Sequence, residues 1–330
     1  MAHSDASVDD GTTPESRSTT GGVNERVEAR VGLSYTLSQL RRDPTAMAGL
    51  VVIVVMTVVA ILTFVDAKLL HYYFATHYWV NPENDPSTVK TLMPPVGLTN
   101  IFGEGSWAHP LGTDYRGRDI LVRLVYGTRI AIQVGFISTA IGLVGGTTVG
   151  SVAGYYGGWV DDALMRAVET LYAIPFLVLV IAFMAAFGRD LTYAMVGVGI
   201  TTIPSFARLI RSRVVSVREE DYIEAARAAG VRDRNIILRH VIPNSFAPVL
   251  VQATLQIGVA ILVVAGLSFL GFGVQPPTPS WGQMLASARG YLLPDAWYSV
   301  WPGLAILLTV VGFNLLGDGL RDALDPRINN

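Results

Sequence analysis

Six apolar runs of membrane length divide this chain, and its charges are gathered in the segments between them. Ala46 to Val65, Ile130 to Val160, Thr170 to Gly188, Leu191 to Ala207 and Ala296 to Gly317 contain no charged residue. Val241 to Ala288 is also uncharged, but Pro276-Pro277-Thr278-Pro279 ends any helix there and leaves a span over 246–270. A hydrocarbon core of about 30 Å needs roughly 20 apolar residues in a helix. The pattern therefore predicts an all-α, polytopic membrane protein with six transmembrane helices. A large soluble helical domain is excluded, because core helices seldom run this long without a charge.

This patterning divides the chain into a tail over 1–45, a first span over 46–65 and a loop over 66–129. A five-helix core over 130–317, with a polar loop at 208–243, and a terminal segment over 318–330 follow. Residues 1–30 are rich in Ser, Thr, Gly and acids, too poor in apolar side chains to offset the entropy of ordering, and are expected to be disordered. No cleavable signal is expected, since the first apolar run starts late and is too long for one. Tyr72, Tyr73, Phe74 and Trp79 in the first loop suit a membrane interface, and Pro82, Pro86, Pro94 and Pro95 break regular structure beyond them.

Only 15% of the 330 residues are charged and 51% are hydrophobic. There is no cysteine, which removes disulfide and thiolate chemistry. A formal net charge of −2 gives no reason to expect a nucleic-acid partner. The charges do set an orientation. With the N-terminus inside, the cytoplasmic segments hold 16 Lys and Arg and the opposite side holds eight, six of them in the long 66–129 loop. Loops of that length escape the positive-inside rule, so both termini are expected in the cytoplasm.

The loop from Arg208 to Arg239 holds eight arginines and five acids, with Asp221-Tyr-Ile-Glu-Ala-Ala-Arg-Ala-Ala-Gly230 at its middle. Asp221 and Glu224 stand in the spacing of a capping box, and Gly230 supplies a left-handed stop. The small faces of Ala225, Ala226, Ala228 and Ala229 would let another surface approach the backbone. A capped surface helix without a partner fits this pattern equally well. Gly142, Gly146, Gly150 and Gly154 keep one stripe of the second span free of side chains, which is expected to be a tight helix-packing seam. Pro175 and Pro204 are expected to kink the third and fourth spans.

Ionisable groups are scarce at membrane depth, with Glu169 at the edge of the third span the nearest, which argues against an ion-coupled carrier. Ser268 in Gly266-Leu-Ser268 raises the possibility of an intramembrane serine protease. No histidine or lysine falls within an apolar run to serve as its base. A Walker loop needs Gly-Lys-[Ser/Thr], and neither Lys68 nor Lys90 follows a glycine. ATP, if it drives the protein, is hydrolysed by another polypeptide.

Several motifs taken together carry a resemblance. Glu224-Ala-Ala-x-x-x-Gly230, followed by Ile236-Ile-Leu-Arg-His-Val-Ile-Pro-Asn244, is similar to the EAA loop of membrane subunits of binding-protein-dependent ABC importers. Leu40-Arg-Arg-Asp-Pro44, His109-Pro-Leu-Gly-Thr-Asp114 with Gly117-Arg-Asp119, and Leu267-Ser-Phe-Leu-Gly-Phe-Gly273 resemble the C-type permease of dipeptide/oligopeptide importers. So do Gln275-Pro-Pro-Thr-Pro-Ser-Trp-Gly282 and the ending Phe313-Asn-Leu-Leu-Gly-Asp318. An acid common shortly before the Leu-Ser-Phe-Leu-Gly run is Val264 here.

The resemblance implies a type I importer permease fold without cofactor or catalysis, embedded in the cell membrane. It also implies a second homologous permease, two cytosolic ATP-binding subunits and an extracytoplasmic solute-binding protein as partners. Asp221, Glu224, Ala225, Ala226, Arg227 and Gly230 would form the helix that docks in an ATPase groove. Nickel or another small solute is the alternative cargo to peptides.

Overall fold

The computed structural model describes residues 33–78, 80–81, 83 and 90–324. The tail over 1–30, Trp79, Pro82, Pro86 and Arg327 lie outside the described residues. Thirteen α-helices are present among the described ones: α1 (Leu33–Arg42), α2 (Pro44–Lys68), α3 (Tyr73–Tyr78), α4 (Ile120–Tyr156), α5 (Gly158–Ala173), α6 (Phe176–Phe187), α7 (Leu191–Arg218), α8 (Asp221–Ala228), α9 (Asp233–Ile236), α10 (Ile242–Ser245), α11 (Ala247–Phe269), α12 (Trp281–Ala288) and α13 (Trp297–Leu324). A π turn over Ile237–Val241 joins α9 to α10. A two-residue antiparallel pairing of β1 (Thr99–Asn100) with β2 (Gly103–Glu104) is the only sheet among the described residues.

Five helices, α2, α4, α7, α11 and α13, are long and apolar enough to cross a bilayer, and α5 with α6 forms a sixth, bent candidate. That third span bends where a kink was expected, but far more sharply. α5 and α6 meet at 89°, with the break at Ile174–Pro175. Proline lacks the backbone donor and pushes the residue before it out of the helical region. Ile174 accordingly sits at φ −80°, ψ 126°. Pro204, by contrast, lies inside an uninterrupted α7. α4 also begins earlier than its apolar run, and its 37 residues absorb 120–129 from the expected loop.

Three of the five long helices, α2, α4 and α7, start where an aspartate side chain covers the first amides. Asp43 accepts from Thr45 N at 2.9 Å with Pro44 at the first turn. These bonds hold the Asp43 carboxyl below its usual range, the Thr45 hydroxyl first among them. Asp119 accepts from Val122 N at 2.9 Å and Asp190 from Thr192 N at 2.8 Å. In α2 only Ala46, Gly49, Ile53, Ala60, Thr63 and Asp66 are buried. Gly49 packs on α13, where it leaves no room for a side chain beside Gly312 O, and Asp66 accepts from the Tyr126 hydroxyl of α4. The remaining apolar surface of α2 is left for lipid.

The helix ends divide the bundle into two poles. One carries a cap built from the described residues of 66–119, α12 and the turn before α13; the other carries α8 to α10. At the cap, Asp114 accepts from the amides of Arg116 and Arg118, both at 2.9 Å, and from Arg118 Nε at 2.7 Å. Arg123 Nε lies 3.8 Å from the same carboxylate, and Arg123 Nη2 donates to Gln283 at 3.1 Å. Trp281 Nε1 donates to Leu124 O at 2.9 Å. The two motifs around 109–119 and 275–282 thus form one assembly, which locks the start of α4 against α12.

Asp295 lies buried in the turn before α13, and burial pushes its carboxyl up to about 6, against a partly compensating Trp297 backbone N–H. A carboxyl raised above its unfolded value binds its proton more tightly when folded, so stability falls as pH rises from about 4 to about 6. Asp295→Asn should raise thermal stability by roughly 1–2 kcal/mol at pH 7.5 and leave it unchanged near pH 4. Melting curves of the detergent-purified chain at the two pH values check this; equal shifts at both would contradict it.

Candidate functional site

α8 is two turns long and stands on the pole opposite the cap. Its expected capping box is absent. Helix geometry begins one residue early, so the extended N-cap residue is Glu220, at φ −75°, ψ 140°, and Asp221 is the first helical residue. The cause is the tight end of α7, where Glu219 N bonds Ser216 O and Glu220 N bonds Val217 O. Asp221 and Glu224 keep a favourable place in the first turn, where carboxylates offset the positive end of the helix dipole. The C-terminal end forms as the sequence suggests. Gly230 sits at φ +76°, Gly230 N donates to Arg227 O at 2.9 Å and Val231 N to Ala226 O at 3.1 Å, a Schellman closure.

Ile223 is the anchor. It is fully buried in a cluster with Phe206, Val214, Ile236 and Val241, and Ala226 packs against the same cluster. Ala226 therefore belongs to the inner face of α8, not to the surface expected for it. Asp221, Tyr222, Glu224, Ala225, Ala228 and Ala229 are left exposed. Arg227 is exposed too, yet it leans over the Tyr155 ring at 5.0 Å, with its Nε 3.4 Å from the hydroxyl.

Tyr155 is the residue that sequence reasoning missed. It lies in the last turn of α4, and its hydroxyl donates to Asp233 Oδ1 at 2.7 Å while receiving Arg227. Arg218 Nη1 adds bonds to Gly154 O and Tyr155 O, both at 3.2 Å. α8 and α9 are thereby tied to the end of the longest helix. An aromatic at the last turn of an apolar run, facing a loop rich in arginine, was the available signal. Tyr155→Phe should weaken this tether by about 1 kcal/mol. Faster amide hydrogen exchange in 221–230, with α4 unchanged, is the expected readout.

The four stripe glycines all face α7. A Cβ on Gly142 would overlap Thr202 Oγ1 and one on Gly146 would overlap Phe206 Cβ. At Gly150 it would come within 3.0 Å of Ile210 Cβ, and at Gly154 within 2.9 Å of Val214 Cγ1. Backbones in this seam touch directly. α8 follows α7 and is bonded to the last turn of α4 through Tyr155.

Ser268 lies buried beside a small cavity lined by Ile130, Val134, Ser280 and Trp281, with no histidine, lysine or acid in its wall. The protease alternative finds no base there. Glu169 is exposed on α5, which does not cross the bundle as a straight span.

The helices define a polytopic membrane protein with up to six spans. Residues 146–330 match the binding-protein-dependent transport system inner membrane component, and residues 33–95 match the N-terminal transmembrane domain of oligopeptide transport permease C. Among curated proteins, the dipeptide transport system permease protein DppC of Alkalihalophilus pseudofirmus is 42% identical over 292 residues, covering 88% of this chain and 89% of that one. The glutathione transport system permease protein GsiD of Pectobacterium atrosepticum is 46% identical over 225 residues, covering 68% and 75%. Inward-facing MetNI, a methionine ABC transporter, superposes with a TM-score of 0.51 at 23% identity, over 62% of this chain and 97% of that chain, a likeness of fold.

The chain belongs to the binding-protein-dependent ABC importer permeases, in their dipeptide/oligopeptide branch. It is a multi-pass membrane transport component and not an enzyme, and such a permease works with ATPase and other partner subunits.

Proposed function

We propose that this chain pairs with a second, similar permease to form the import path for dipeptides or short oligopeptides. Two cytosolic ATP-binding subunits drive the path, and an extracytoplasmic solute-binding protein loads it at the cap. Both termini and α8 then face the cytoplasm, as the arginine distribution favours. The observation that carries the reading is α8 itself: a capped helix, held by Ile223 beneath and open on the face that holds Tyr222, Glu224 and Ala225. That face docks in an ATPase groove. Closure on ATP pushes α8, and the closely packed α4–α7 pair carries the push to the pathway, a coupling free energy between separated sites.

The peptide cargo is supported by the relatives' names for dipeptide and glutathione transport. Because the chain has no cysteine, Ala225→Cys gives a single attachment point. In proteoliposomes holding the whole importer, a cross-linker there should capture an ATPase subunit, and trialanine uptake should need ATP and the binding protein. Capture of no ATPase, or uptake without ATP, would overturn the reading.

A further inference from the structure

A chamber of about 570 Å³ opens at the cap pole, where α2, α4 and the α6–α7 turn converge. Small-molecule sites usually measure about 300–1,000 Å³. Arg129, only 6% exposed, forms part of the chamber wall. Its Nη2 donates to the Tyr72 hydroxyl at 2.8 Å, whereas Nε and Nη1 have no acceptor among the described residues. Lys68 and Arg189 stand exposed on the same lining, and the half-buried Gln133 adds an amide one turn along α4 from Arg129.

Two acids share this lining without neutralising it. Glu83 Oε1 is 4.0 Å from Arg129 Nη2 and already accepts from the Tyr72 hydroxyl at 2.6 Å and from Thr278 Oγ1 at 3.3 Å. Burial pushes the Tyr72 hydroxyl up to about 12, so it keeps its proton for that bond. Asp190 is committed to the first amides of α7. Three cations therefore meet two occupied carboxylates. An entering oxyanion would meet the exposed Lys68 and Arg189 with charge-assisted hydrogen bonds, while the buried Arg129, whose unfilled Nε and Nη1 are closed to solvent, adds its charge from the wall.

We infer that this chamber is a carboxylate-binding station for the peptide cargo, with Arg189 and Lys68 holding the C-terminal carboxylate beside the charge of Arg129. The inference rests on the proposed import of peptides. The chamber's volume accommodates a short peptide but not the two acyl chains of a phospholipid.

The test uses the assembled importer in phosphatidylcholine vesicles and a benzophenone-bearing dipeptide, supplied as the free acid and as the C-terminal amide. The free acid should photolabel this chain within 64–68 or 189–192, and the amide should do so roughly tenfold less, the loss expected when charge-assisted hydrogen bonds go. Arg189→Gln should reduce labelling by the acid at least about fivefold and leave amide labelling alone. Arg129→Gln should do the same, and Arg189→Gln keeps the test decisive if the Arg129 variant fails to assemble. Equal labelling by acid and amide would overturn the proposal. So would loss of acid labelling on adding phosphatidylglycerol, which would assign the chamber to a lipid headgroup. Labelling is read on the chain itself, so absent peptide uptake in the wild type would sink the import reading and leave this result separately readable.

Discussion

Gly230→Pro abolishes uptake while ATP hydrolysis by the assembled importer continues. The native φ of +76° cannot be reached by proline, whose ring holds φ near −65°. The substitution also removes the Gly230 N–H that bonds Arg227 O, so both halves of the Schellman closure fail together. A proline that breaks helical geometry costs about 3 kcal/mol or more, which is large for a two-turn element anchored mainly by Ile223. The spans are untouched, so insertion proceeds. Uptake should fall at least about tenfold, the factor that 1.4 kcal/mol represents. Glu224→Arg acts on the exposed face instead, reversing a charge in the first turn, and should uncouple by the same readout. Gly230→Ala should fall between, since a left-handed conformation costs a non-glycine residue about 1–2 kcal/mol. Wild-type uptake in the Gly230→Pro importer would refute the role given to α8.

The second large effect belongs to the cap. Asp114 is fully buried, and two guanidiniums, Arg118 and Arg123, each 1% exposed, face its carboxylate. Asp114→Asn keeps the shape and removes the charge. Breaking a buried ion pair on one side costs about 3–5 kcal/mol, because the opposite charge stays buried. At roughly 2–4 °C per kcal/mol for a chain of this size, the unfolding temperature should drop by about 6–20 °C. The double variant Asp114→Leu with Arg118→Leu should recover part of the loss, as apolar replacements of buried pairs commonly do. A single variant that melts within a degree or two of the wild type would mean that the cluster contributes little.

Much of this architecture was legible because lipid imposes a simple rule. An uncharged run of about 20 residues has few alternatives to a membrane helix, and α2, α7, α11 and α13 follow their runs. The misreadings have equally physical causes. Pro175 marked a kink in the third span, but a proline in the sequence carries no angle, and the break is a right angle between a charged α5 and an apolar α6. Arg123 and Arg129 ended the apolar run that begins at 130 and hid the first turns of α4. Their partners, Gln283 and Glu83, lie 160 and 46 positions away, a closeness that no local pattern contains. The offset at Asp221 came from the tight end of α7, and Ala226 faces inward because it lies three residues from the buried Ile223. The glycine stripe was legible as a seam, but its partner helix was not, because packing specificity lies in the surfaces of α7.

The right-angled corner between α5 and α6 has one more consequence. α6 has 12 residues, about 18 Å at 1.5 Å each, while hydrocarbon in an ordinary bilayer is nearer 30 Å thick. Phe176, Val178 and Phe187 remain exposed along it. Any acyl chains that meet this corner have to shorten or splay, so the leaflet dimples there. Lipids with shorter chains are thereby expected to fit against this corner with less distortion than long ones.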